Sequence, residues 1–101
     1  MAKCEGRYVE SNEVDEITKN AFVGAVGVVY KDMGIEDFKK VELSTIEALK
    51  KKECQQKLVD LIKYGFEQKG GRVLFSLPTL TKSKFKTIGD IIIYCGKNQP
   101  A

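Results

Sequence analysis

Two stretches, Arg72-Val-Leu-Phe-Ser-Leu-Pro-Thr-Leu80 and Phe85-Lys-Thr-Ile-Gly-Asp-Ile-Ile-Ile-Tyr-Cys95, decide the fold, together with the Thr81-Lys-Ser-Lys84 that joins them. Both are rich in β-branched and aromatic residues and lie a short polar loop apart, the pattern of a β-hairpin. Ile91 to Tyr94 is continuously apolar, as a central strand covered on both faces would be. Pro78 cannot donate to a ladder, which puts the first arm at an edge or bulges it there. On this reading the chain ends in a protruding hairpin, and the rest must supply the layer it packs on.

Upstream, Gly70-Gly71 closes a helix that Ser44-Thr-Ile-Glu47 opens with the spacing of a capping box. Its apolar phase slips: Ile46 and Leu49 lie on one side, while Leu58, Leu61, Ile62 and Gly65 lie about a third of a turn away. The polar run from Lys50 to Gln56 marks a kink or break. Phe38 to Leu43 alternates and reads as a strand. Asn12 reads as an N-cap, with Glu13, Asp15 and Glu16 complementing the helix dipole. Val14, Ile17, Ala21, Ala25 and Val28, with the neighbouring stripe Phe22, Val26, Val29 and Met33, carry that helix to a stop at Gly34. Gly24 and Gly27 within it let another backbone approach closely. Gly6 to Glu10 reads as a first strand and residues 97–101 as a frayed tail. The expected fold is α+β: one domain of strand–helix–strand–helix–strand–strand, helices against a mixed sheet with a C-terminal hairpin. A winged helix would need Phe38–Leu43 to be helical, against its alternation.

The chain has 101 residues, 43% hydrophobic and 31% charged, which suits one modest core. No apolar run reaches the roughly 18–20 residues that cross a bilayer. The first residues lack the apolar core of a signal peptide, so the expected location is cytoplasmic, or nuclear in a eukaryote. Cys4, Cys54 and Cys95 are odd in number and widely spaced, which suits thiols in a reducing compartment. The net charge of +3 is unevenly spread: −4 through Asp37 and +7 from Phe38 onward. That asymmetry points the second half at an anionic partner.

Catalysis finds little support. With no histidine in the sequence, neither a Ser-His-Asp nor a Cys-His arrangement can be built, and the usual nitrogen and sulfur metal sites are equally unsupported. No cofactor motif is present; Gly70-Gly71-Arg72 follows a helix where a phosphate loop would precede one. Asp90 interrupts an apolar stretch, and facing solvent, pairing with a lysine and joining a site are all open to it. The strongest binding signal is Lys82, Lys84 and Lys86, which alternate around the hairpin tip with Phe85 between two of them. In an extended ribbon that spacing puts three ammonium groups on one side, where they can meet phosphates while Phe85 stacks on a base or packs beneath. Arg72, at the start of the first arm, joins them as a basic candidate.

Three stretches resemble the Alba superfamily of small basic DNA- and RNA-binding proteins. They are Lys39-Lys-Val-Glu-Leu-Ser44 leading into a helix, Thr18-Lys-Asn-Ala-Phe-Val23 at the first helix, and Ile88 to Lys97 with its isoleucine run ending in Gly96-Lys97. The resemblance implies the six-element order above, a long final hairpin arm, and Lys19 on backbone phosphate. Members typically carry two basic residues and a proline where Lys19-Asn20-Ala21 stands here. The expected function is therefore a non-enzymatic DNA- or RNA-binding protein, a homodimer using mainly phosphate contacts and needing no cofactor. The alternatives are a small protein-binding factor (inhibitor, immunity or assembly subunit) presenting its acidic first third, or capture of a phosphorylated small ligand in a dimer cleft.

Overall fold

The computed structural model describes residues 8–100, and among them the chain is helical with no sheet. The α+β expectation, with its mixed sheet and C-terminal hairpin, is overturned. So is the strand–helix–strand–helix–strand–strand order that the family resemblance implies.

Helix α1 spans Ser11–Val26 and starts two residues earlier than expected: Glu10, not Asn12, is the N-cap, and its N–H donates to the Glu13 carboxylate at 3.2 Å. Val14, Ile17, Thr18, Ala21 and Phe22 are buried along one face. The helix ends at Gly27, whose φ of +138° no side chain tolerates easily, seven residues short of Gly34. Early termination lets the next turn fold back. Tyr30 then sits edge-on to Phe22 and Phe38, with ring centroids 6.4 and 6.0 Å away. Val28 and Val29, expected inside, are left exposed.

Of the expected strand Phe38–Leu43 only Glu42 pairs, in a lone bridge, and its first two residues belong to helix α2, Ile35–Lys39. Phe38 drives it inward: the ring is fully buried, 5.6 Å from Phe22 and nearly perpendicular to it. Two 3₁₀ turns follow, Leu43–Thr45 and Glu47–Lys50. No side chain caps either turn, so Ser44 and Glu47 do not form the expected box. Instead the Thr45 hydroxyl donates to the Glu42 carbonyl at 2.6 Å.

Helix α3, Lys52–Gln68, begins after the break that the slipped apolar phase foretold. It ends at the glycines as expected. Gly71 N–H reaches back to the Phe66 carbonyl and Gly70 N–H to Glu67, with Gly70 at φ +81°, a Schellman closure. Helices α1 and α3 are antiparallel and close-packed. A methyl on Gly65 would come within 2.5 Å of Ile17 Cγ2, and one on Gly24 within 2.8 Å of Leu61 Cδ1.

Residues 71–76 are extended, and Val73 and Phe75 are buried while Arg72 and Leu74 are exposed. The alternation read as a strand is real, but its partner is the end of a helix: Leu74 N–H donates to the Asn98 carbonyl at 2.8 Å. Helix α4, Leu77–Lys82, follows, with Ser76 as N-cap and Pro78 in its first turn, where the missing N–H costs nothing. Helix α5, Ile88–Lys97, replaces the second arm. Ile88, Ile91, Ile92 and Cys95 are buried at helical spacing, while Ile93 points out. Of the expected first strand, Gly6 and Arg7 lie outside the described residues, and Tyr8 to Glu10 form none. Within the expected tail, the Gln99 side chain exchanges two hydrogen bonds with the Val9 backbone, at 2.7 and 2.9 Å.

The Gly65–Ile17 contact predicts an inversion of the usual helix rule. Alanine gains about 1 kcal/mol over glycine in a helix interior, but overpacking here costs about 1–3 kcal/mol. Gly65→Ala should therefore lower the thermal midpoint. Gly96→Ala, with nothing within 4 Å of its added carbon, should raise it. Paired thermal melts decide, and a stabilised Gly65→Ala would mean that the helices sit further apart.

Candidate functional site

The site is assembled around the start of α5. Thr87 is its N-cap: the hydroxyl accepts from Asp90 N–H at 3.3 Å, while the Asp90 carboxylate accepts from Lys86 and Thr87 N–H at 2.9 and 3.1 Å. Asp90 is thus a reciprocal cap, and those two backbone donors hold its pKa below the usual carboxylate value. Beside it lies a single antiparallel bridge, Glu42 opposite Thr87, the remnant of both expected strands. Leu43 N–H donates to the Lys86 carbonyl and Ile88 N–H to the Val41 carbonyl, at 2.9 and 3.0 Å. The segment before α3 is thereby fixed against the α4–α5 loop.

Between them opens a cleft of about 360 Å³. Its apolar lining is Leu43, Ile46, Leu49, Leu80 and Phe85; Ser44, Lys50, Gln55 and Thr81 add polar groups. Lys51 and Lys52 follow Lys50, Lys82 follows Thr81, and Lys84 and Lys86 flank Phe85; all five are exposed and none lies within 4 Å of a described carboxylate, although the Lys86 charge helps to lower the Asp90 pKa. Lys50 alone is paired, with Glu47 at 3.3 Å. Of the four carboxylates nearby, Glu47 and Asp90 are committed as described, and Glu42 and Glu53 are exposed.

The predicted residues fare differently. Lys82 ends α4, and exposed Lys84 and Lys86 lie in the loop that follows, where a hairpin tip was expected. Phe85 is half-buried, edge-on to Tyr94 with centroids 5.6 Å apart, and presents part of its ring to the cleft. Lys19 is elsewhere: its ammonium donates to the Met33 carbonyl, tying the turn after α1 back onto that helix. Arg72 lines a separate cleft with Lys63 and Glu67. The partners that sequence reasoning missed are Lys50, Lys51 and Lys52. Their charge run was the available signal, and it was read only as a phase slip.

Among the described residues, no cluster of histidine, cysteine or carboxylate side chains could hold a metal ion. None of their buried side-chain polar atoms lacks a partner, so nothing polar is aimed into an internal ligand cavity. No helix there is long and apolar enough to cross a membrane. Cys95 is buried and its thiol pKa is pushed up to about 12; Cys54 is half-buried. Cys4 lies outside the described residues. No protein-family model, curated protein or solved structure matches the chain.

Two measurements check this description. Thr87→Ala should cost about 1 kcal/mol, seen as a drop of about 4–8 °C in Tm. Because the folded-state pKa of Asp90 is depressed, its stabilisation is complete above the ordinary carboxylate pKa of about 4 and is lost as pH falls through the lower folded value. Asp90→Asn should flatten that acid limb of the stability curve, and an unchanged limb would remove the cap. Separately, a thiol reagent at neutral pH should modify Cys54 well before Cys95, as read by peptide mass mapping.

Proposed function

We propose that the chain is a non-enzymatic nucleic-acid-binding module whose contact face is the end formed by residues 43–52 and 80–86. One observation carries the reading: Lys82, Lys84 and Lys86 are exposed, form no salt bridge with a described residue, and alternate with or follow residues that line one side of a cleft whose other side carries Lys50. Exposed ammonium groups held in no salt bridge can neutralise phosphates and release condensed counterions. Lysine, a compact charge without a fixed fork, suits backbone contacts with little sequence preference. Both lysine segments come from one chain, so the face does not need a second copy to be complete.

The acidic first third is a weaker candidate for a protein contact, because part of it is neutralised internally. Asp15 pairs with Lys39 at 3.1 Å and Glu16 with Lys69 at 3.4 Å.

Anisotropy titrations with labelled oligonucleotides test the proposal. Affinity should fall about tenfold to a hundredfold between about 50 and 200 mM salt, the response of roughly three to four phosphate contacts. The combined change Lys82→Gln, Lys84→Gln and Lys86→Gln should weaken binding by at least about tenfold and lower the salt slope. A flat salt response, or undiminished binding by the triple variant, would sink the assignment of this face.

A further inference from the structure

Exposed lysines attract any phosphate backbone, but a backbone contact needs no cleft. The cleft between them has a different chemistry. Leu43, Leu80 and Phe85 give it apolar walls, and its volume of about 360 Å³ falls within the roughly 300–1,000 Å³ typical of small-ligand sites. Its polar groups are few and have capacity to spare. Ser44 is exposed, and its hydroxyl has no hydrogen-bond partner among the described residues. The Gln55 amide spends an N–H on the Leu49 carbonyl at 2.7 Å, which leaves its oxygen to accept. Thr81 donates its hydroxyl to the Leu77 carbonyl at 3.1 Å and can likewise accept. A flat apolar body with donors and acceptors along its edge complements such a site, provided that a charged backbone runs past the lysines on either side.

We infer that this cleft seats an unstacked nucleobase, which makes single-stranded nucleic acid, and not duplex, the ligand class of the lysine face. The inference rests on the nucleic-acid reading above and adds to it a choice between strands. In a duplex the bases are stacked and paired, so none can enter a lateral cleft without first being extruded. In a single strand a base can leave the stack freely and lie against apolar or aromatic side chains while its phosphates stay on the lysines. Phe85 is the ring available for that contact. Its edge is held by Tyr94, and Tyr94 in turn meets Phe75 with centroids 6.0 Å apart, so the platform is braced from behind. The site should be tolerant of base identity, because Ser44, Gln55 and Thr81 present mostly adaptable hydroxyl and amide groups.

The experiment compares three fluorescein-labelled ligands of about a dozen nucleotides, a length that spans one small binding site. They are oligothymidylate, an abasic strand of the same length, and a duplex. The full chain should bind oligothymidylate about tenfold or more tightly than either of the others. Ser44→Leu, at an exposed position where added bulk fills the cleft, should close the gap between oligothymidylate and the abasic strand to within about twofold. Phe85→Leu should do the same more weakly. Ser44→Leu carries the test alone if thermal melts show that Phe85→Leu is unfolded. Equal affinity for all three ligands, still weakened by the triple lysine change, would overturn the seated base while leaving the phosphate reading in place. Failure to bind any of the three, or preferential binding of polyglutamate, would remove the nucleic-acid reading itself.

Discussion

Leu43 N–H on the Lys86 carbonyl and Ile88 N–H on the Val41 carbonyl are the two hydrogen bonds on which the lysine-bearing end depends. They are a sheet reduced to one antiparallel step, and alone such a step has marginal worth. What makes it hold is the N-terminus of α5 immediately beyond. Thr87 is at once the bridge residue and the N-cap, and Asp90 gathers the N–H groups of Lys86 and Thr87. Ile88, the next residue, is fully buried. The backbone from Lys86 to Ile88 is therefore set by a cap, a bridge and a core side chain together. Phe85 and Lys84 lead directly into it, and the position of the loop follows.

The helical nature of α5 was present in the residues, and the wrong features were weighted. Ile91-Ile-Ile is β-branched, and β propensity spans only about 1 kcal/mol and depends on context. Ile88, Ile91, Ile92 and Cys95 at i, i+3, i+4 and i+7 form a helical face, and Thr87-Ile-Gly-Asp90 is a capping box at its start. Ser76-Leu-Pro78 likewise spells an N-cap followed by a first-turn proline. With the proline start read as a bulge and the Thr87–Asp90 start read as part of a strand, the hairpin appeared. The alternation at Arg72–Phe75 is a harder case. An extended segment laid on helices buries every second residue just as a strand does, and nothing local says whether a partner strand exists. The features that held were those with one physical meaning: Gly70-Gly71 ends α3, and the slipped apolar phase breaks the chain before it.

At the site, the lysine run 82, 84, 86 was visible because charge patterning survives a wrong secondary-structure reading. Exposed lysines at alternate positions face solvent on a ribbon, on a loop or at a helix end. The pairing with Lys50–Lys52 was not visible, since it is a tertiary fact created by the Glu42–Thr87 bridge across more than forty residues. Lys19 shows the converse. Its charge invited a phosphate role, but an early helix end at Gly27 brings the Met33 carbonyl within reach of its ammonium, and a half-buried lysine with a satisfied tip is a structural use of the residue.

The cleft and the lysines divide the costs of binding in a consistent way. The lysine side chains are long and exposed, and ordering each costs on the order of 1 kcal/mol. Their mutual repulsion, screened beyond roughly 8 Å at physiological salt, is relieved when an anion arrives. The walls of the cleft are already ordered: Leu43 by its backbone bond to Lys86, Leu49 by the Gln55 amide, Phe85 by Tyr94. On the proposed reading, a ligand would meet exposed charge around an ordered apolar seat. Exposed charge on long stems supplies attraction that tolerates many backbone geometries, whereas an ordered seat rewards only a ligand that can send an apolar group into it. If the proposed face binds nucleic acid, discrimination between anions would come from the seat, since exposed lysines attract them all.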